Sequence, residues 1–321
     1  MVELRIWSDY EFVNQTFPTN PLVSGDIVDA GEKILIAGPS ESGKSFLALQ
    51  WAMELASQGD WFGFSVMRKC RVLVLQSEVS TPRYQERYNK LRGNYDGELD
   101  LFIATTEELK LDTIVGCNAF ADVVRDYVPD VVIFDPLRAF MEGDENNSKD
   151  VERFFQYVSK TQADDPFTLM VIHHVVKPMP GSHYDELTKW AIRGSGLITD
   201  RPSTIVGLTC NEAQTKWKLF WLKTRNRNRH PESLDLVANF TTGLFDIDAS
   251  SPTVSGIGFV IEALDGGERK QSEVVKDLVE DCKVNRATVY GWITDAVRNG
   301  CVHQIASGGR GGGYTLVPTP I

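Results

Sequence analysis

Cysteine is scarce and poorly placed for structural work: Cys70, Cys117, Cys210, Cys282 and Cys301 are odd in number, scattered and never spaced C-x-x-C. That pattern excludes a disulfide framework and a zinc ribbon, and it implies a reducing compartment. Long hydrophobic runs are missing as well. No apolar stretch approaches the ~18 residues of a membrane span. Met1 to Tyr10 lacks the basic start and apolar core of a secretory leader, so the chain reads as soluble and cytoplasmic. Positive charge is in deficit. At a net charge of -11, bulk attraction for nucleic acid is excluded, and any such contact has to come from local basic patches. Internal repeats and low-complexity tracts are absent. With 42% apolar residues over 321 positions, the chain can bury a large core, with room for a second, smaller domain.

What is present is organised around Gly38-Pro39-Ser40-Glu41-Ser42-Gly43-Lys44-Ser45. The apolar run Ile34–Ala37 before it reads as a buried strand, and Phe46–Ser57 after it suits a helix. This is the G-x-x-x-x-G-K-S phosphate loop in the setting its mechanism requires. Glycines let the backbone wrap a phosphate with its N–H groups, and the helix N-terminus adds partial positive charge. Lys44 reaches β- and γ-phosphates and the Ser45 hydroxyl ligates Mg2+; with Phe46 at the helix start, these residues form the expected ATP-binding set.

From Lys33 to about Leu222, short β-rich runs alternate with helical patterns. Strands are expected at Lys33–Ala37, Arg71–Gln76, Leu101–Ala104, Asp130–Phe134, Leu169–His173, Thr204–Thr209 and Trp217–Leu222. Helices are expected over 45–57, 82–92, 113–127 and 148–162. The alternation predicts an α/β fold: a parallel to mixed sheet covered by helices on both faces, with the last two strands as an antiparallel pair at one edge. Residues 1–30 read as an irregular lead-in, and Leu234–Ala263 as further β structure. After Gly266-Gly267 the composition changes. Two helices, Lys270–Asp281 and Arg286–Asn299, precede a β run, a glycine-rich turn and another β run. That is the winged-helix order; a small α+β dimerisation module is the competing reading. The expected domains are therefore 1–264 and 265–321.

Several polar residues then acquire chemical meaning. Val131–Asp135 is an apolar strand ending in a carboxylate, which places Asp135 beside the nucleotide and its Mg2+. Glu78 follows a strand expected to pair next to the phosphate-loop strand, where a carboxylate can polarise an attacking water. Capping the helix that starts at Thr81-Pro82 is its alternative role, and Glu142 and Glu145, in a polar stretch read as exposed, are alternative bases. His173-His174 has no third ligand at metal spacing, and His174 is preferred for contact with the γ-phosphate. Long loops at 138–148 and 175–195 are read as functional; the second carries Lys177, Lys189 and Arg193-Gly194-Ser195. Lys223–Arg229 is the densest basic run, either donating a cation to a neighbour's γ-phosphate or forming a solvated hairpin tip. In the C-terminal segment, Arg286 at a helix start and Arg310 in the glycine-rich turn are candidate duplex-DNA contacts.

Taken in order, GPSESGKS, WFGF before VLVLQSE, VVIFDPLRAFMEGDENNS, MVIHHVVKP, IRGSGLITD and KTRNR resemble the RepA-like branch of RecA-type ATPases, hexameric replicative helicases. The resemblance covers about residues 20–240. It implies a ring of RecA-like subunits with ATP and Mg2+ at subunit interfaces and single-stranded DNA in the channel. It makes Lys44, Ser45 and Asp135 the phosphate and Mg2+ residues, Glu78 the catalytic base and His174 the γ-phosphate sensor. Lys223 and Arg225 become fingers acting across the interface, and the two long loops face the channel. The C-terminal segment lies outside the family's minimal core and is expected to meet duplex DNA or a replication protein. A RecA-type recombinase, or an ATPase switch acting on protein partners, is the alternative function.

Overall fold

The computed structural model describes residues 6–17, 19–25, 27–176, 187–226, 233–248, 260–261, 263–264, 267–281, 286–298, 301–306 and 313–318. The lead-in is more regular than expected. A short helix, α1 (Asp9–Asn14), forms because Ser8 and Glu11 complete a reciprocal capping box, although the helix buries no residue. A hairpin of β1 (Pro21–Val23) and β2 (Val28–Asp29) follows, and its Leu22, Val23 and Val28 enter the core.

The central sheet is built from β3 (Lys33–Gly38), β4 (Val72–Gln76), β5 (Leu101–Thr105), β6 (Val131–Asp135), β7 (Thr168–His174), β8 (Thr204–Cys210), β9 (Trp217–Thr224), β10 (Leu234–Ala238) and β11 (Phe245–Ile247). Its order is β5-β4-β6-β7-β3-β8-β9-β10-β11, parallel from β5 to β8 and antiparallel beyond. The β8–β9 pair is antiparallel as expected, but β10 and β11 extend the sheet past it, so it is not the edge. Another correction concerns β4. It pairs with β5 and β6, and two strands separate it from the phosphate-loop strand β3, which pairs with β7 and β8. Hydrophobic alternation decides that a segment is a strand, whereas the crossover that follows decides where it lies, so adjacency was not readable.

Helices cover both faces because each central strand is apolar on both sides. Ile34 and Ile36 of β3 join a core with α2 (Lys44–Ser57) and α3 (Thr81–Arg92), which contribute Leu47, Trp51 and Tyr84. Leu35 and Ala37 turn to the opposite core, filled by Phe120 of α4 (Ile114–Tyr127) and Phe154 of α5 (Ser148–Asp164). Trp51 stacks flat on Trp61 with centroids 4.2 Å apart, which fixes α2 against the WFGF turn. A short helix, α6 (Leu197–Asp200), leads into β8.

Beyond residue 260 the chain builds its own core. Strand β12 (Arg269–Lys270), helices α7 (Gln271–Asp281) and α8 (Arg286–Arg298), and strands β13 (Val302–Ala306) and β14 (Tyr314–Pro318) form a unit whose antiparallel sheet has the order β12-β14-β13. Val274, Leu278, Val289, Trp292 and Leu316 are buried together, and Val260 and Leu264 pack into the same cluster.

Candidate active site

The phosphate loop joins β3 to α2 at the carboxyl edge of the parallel strands, where ligands of open α/β sheets bind. Gly43 stands at φ 89°, and a Cβ there would meet the Phe245 ring at 2.8 Å. Gly38 is equally confined: a Cβ would lie 2.2 Å from the Leu208 carbonyl oxygen. Glu41 holds φ 63°, an unfavourable value for a residue with a side chain. Lys44 is buried and its ammonium donates to the Pro39 carbonyl within its own loop. Burial lowers its pKa to about 8, opposed by the nearby negative charges of Glu78 and Asp135.

Those two carboxylates stand at the ends of β4 and β6. Asp135 is 4% exposed, and its Oδ1 has no hydrogen-bond partner among the described residues. Burial raises its pKa to about 6, partly offset by a hydrogen bond from the Ser45 side chain, while Glu78 adds a further upward push. Glu78 itself is exposed. Its loop is fixed by Gln76, buried at the strand end, whose side chain donates to the Val79 carbonyl at 2.7 Å and accepts from the Val79 N–H at 3.1 Å. The cap of α3 is Ser80, so Glu78 is not used for capping.

The histidines separate. His173 is fully buried, with Nε2 2.8 Å from the Arg193 carbonyl, and burial lowers its pKa to about 4. His174 is half-buried and lines a cavity of about 740 Å³ with Ser40, Asn146, Val176, Ile192 and Arg193. Burial and then Lys44 lower its pKa, which places it within electrostatic reach of the phosphate loop. Glu145 is not exposed as expected: it is 3% exposed and pairs with Arg193 at 2.7 Å. A polar stretch reads as solvated when the cation that covers it lies far along the chain. Glu142 is exposed. Gly194 adopts φ 95° against the Glu145 carbonyl, Ser195 N–H donates to that carbonyl at 2.8 Å, and the Ser195 hydroxyl lies 3.0 Å from Ser148. Arg193-Gly194-Ser195 therefore stitches the two long loops together at the end of β7.

Lys223 and Arg225 lie at the opposite edge of the sheet. Thr224 pairs with Thr204 at the start of β8, and Asn226 bonds Glu32 at 2.9 Å, just ahead of β3. Lys223 donates to the carbonyls of Thr199 and Asp200 at 2.6 and 3.1 Å, and Arg225 donates to Asp200 as well, so both cap the C-terminus of α6. Burial, then Arg225 and Lys189 as like charges, lowers the Lys223 pKa to about 8, against an upward pull from Asp200. Lys189 is exposed, and Arg286 is exposed at the start of α8. Lys177 and Arg310 fall outside the described residues.

Sequence reasoning missed the brace behind the phosphate loop. The indole N–H of Trp217 donates to the Ser42 carbonyl at 3.0 Å. Gln50 of α2 grips β11 with both ends of its amide, donating to the Phe245 carbonyl at 2.9 Å and accepting from its N–H at 2.8 Å. A glutamine on an otherwise apolar helix face was the available signal, but its partner lies far downstream.

A family model for the AAA domain matches residues 2–179. The chain belongs to that family. This AAA-domain protein is a P-loop ATPase. No curated protein matches it. Among solved structures, one titled as an ATPase domain is similar at 15% identity and a TM-score of 0.49, over 67% of this chain and 84% of that one.

Proposed function

We propose that this ATPase is an ATP-driven single-stranded DNA translocase of the replicative-helicase kind, a ring that is hexameric by its resemblance, hydrolysing ATP between subunits. Lys44 and the loop N–H groups hold the β- and γ-phosphates, Glu78 polarises the attacking water, and His174 senses the γ-phosphate. Ser45 and the Asp135 carboxylate are hard oxygen donors, and the unpartnered Asp135 Oδ1 suits them to Mg2+, which neutralises charge on the transferred phosphoryl group when bound. Arg193-Gly194-Ser195 and Lys189, with Lys177, belong to the strand-facing loop. Residues 265–321 form a winged helix that meets duplex DNA or a replication protein through Arg286 and Arg310, while 1–264 carries the motor; the helix pair and antiparallel sheet support a separate C-terminal unit, whose core also takes in Val260 and Leu264.

One observation carries the reading. Glu78, Asp135 and Lys44 share one edge of the sheet, whereas Lys223 is level with Leu35 and Arg225 with Lys33, about 10 and 16 Å back along β3 from Gly38. Cations so placed cannot serve their own phosphate loop; to serve a neighbour's they exchange the α6 carbonyls that they cap here for its γ-phosphate. Mixing Arg225→Ala subunits with Lys44→Ala subunits tests this. Each alone should lose roughly 10³-fold in turnover, and the mixture should recover activity, because each interface takes its finger from one chain and its loop from the other. Lack of rescue in assemblies shown to be intact would place Arg225 outside the reaction. Unwinding of a forked duplex separates this reading from a recombinase or a partner-directed switch.

A further inference from the structure

The strand-facing loop carries an aromatic residue that the motor reading leaves unused. Trp190 is 82% exposed. It sits in a short 3-10 turn, Lys189–Ala191, clamped at both ends: Leu187 and Ile192 on either side are buried. The Val176 N–H donates to the Ala191 carbonyl at 2.8 Å, and Val175 bridges Ile192, so the turn hangs from the extension of β7 beyond His174. A bulky indole is thus presented to solvent from a hydrogen-bonded turn. The neighbouring polar residues are committed elsewhere: Arg193 pairs with Glu145, Arg201 with Glu152, and Ser195 with Ser148. Lys189 is different. Among the described residues it has no carboxylate partner, and its ammonium lies 4.7 Å from the Trp190 ring centre.

An exposed ring with a carboxylate-free cation over one face has the two groups that bind a single strand without sequence preference, its other face for a base and a charge for the adjoining phosphate. We propose that Trp190 stacks on a base of single-stranded DNA and that Lys189 neutralises the neighbouring phosphate; this rests on the single-strand motor reading above. The Arg193-Gly194-Ser195 segment then acts as the mount of this tip and not as its contact surface.

The test uses the full chain with an ATP analogue and oligo(dT), reading tryptophan emission and, separately, anisotropy of a labelled strand. Oligo(dT) should quench the emission of the wild type. W190F should bind with similar affinity through its remaining ring but lose most of the quench. W190A should bind about tenfold more weakly or worse, the loss of one stacked base. K189A should reduce the slope of log affinity against log salt by about one phosphate contact. Equal quenching of wild type and W190F, with W190A binding at full strength, would remove Trp190 from the strand. If W190A instead breaks the assembly in sedimentation while its strand affinity is kept, the residue is a subunit contact and the proposal fails. A wild type that does not bind oligo(dT) at all brings down the motor reading itself, a result distinct from one in which only the variants are indifferent.

Discussion

The two edges of the central sheet are built to opposite standards. At the amino edge of the parallel strands most polar groups are matched, Gln162 Oε1 being the exception among the described residues. Arg71 pairs with Asp100 and Arg68 with Asp130, both at 2.9 Å, while the Ser203 and Thr204 hydroxyls donate to backbone carbonyls of Lys33 and Ile27. At the carboxyl edge, buried Asp135 Oδ1, Ser42 Oγ and His174 Nδ1 have no partner among the described residues. Outside that edge, the remaining unmatched groups are mostly core indole N–H groups such as those of Trp51 and Trp61. Folding alone favours satisfying buried polar atoms, and the cluster of unmatched ones at the carboxyl edge is what the proposed nucleotide site would account for.

The contrast can be pressed from either side. The largest effect should come from Glu78→Gln, which keeps the shape and removes the charge: nucleotide affinity should hold within a few-fold while turnover falls by roughly 10²–10⁴. Normal hydrolysis in a steady-state phosphate assay would end the assignment. Glu142 would then be the next candidate, since Glu145 is buried against Arg193. At the other edge, Thr204→Val leaves the Ile27 carbonyl without its 2.7 Å donor. Urea unfolding should show a loss of about 1–3 kcal/mol with unchanged ATP kinetics. A kinetic defect without a stability defect would mean that Thr204, paired with Thr224, also sets the position of Lys223 and Arg225. The smallest effect should have the opposite sign. Asp135→Asn removes a buried, partly unpartnered charge, so the nucleotide-free protein should gain about 1 kcal/mol while losing hydrolysis. A destabilised Asp135→Asn protein would show that the carboxylate contributes to the fold itself.

Much of this was legible in the chain because it is local. The phosphate loop, the strand ending at Asp135 and the spans of α2 to α5 follow from patterns within a dozen neighbours, and the structure moves their limits by only a residue or two. The rest depends on residues that meet across long separations. Nothing near Val72–Gln76 says that β6 and β7 will come between β4 and β3. Glu145 looked solvated because Arg193 lies on another loop, and the grip of Gln50 on β11 needed Phe245. The end-on placement of Lys223 and Arg225 likewise emerged only once β9 was laid antiparallel to β8.

Gln50 has a mechanical consequence. Its amide ties the phosphate-loop helix to the sheet's far antiparallel strand by a donor and an acceptor on the same residue, so α2 cannot roll about its axis without carrying β11 along. Trp217 ties the loop itself to β9. The antiparallel strands β9 and β11 are therefore part of the phosphate loop's own support, and a change in either strand reaches the loop through these three bonds.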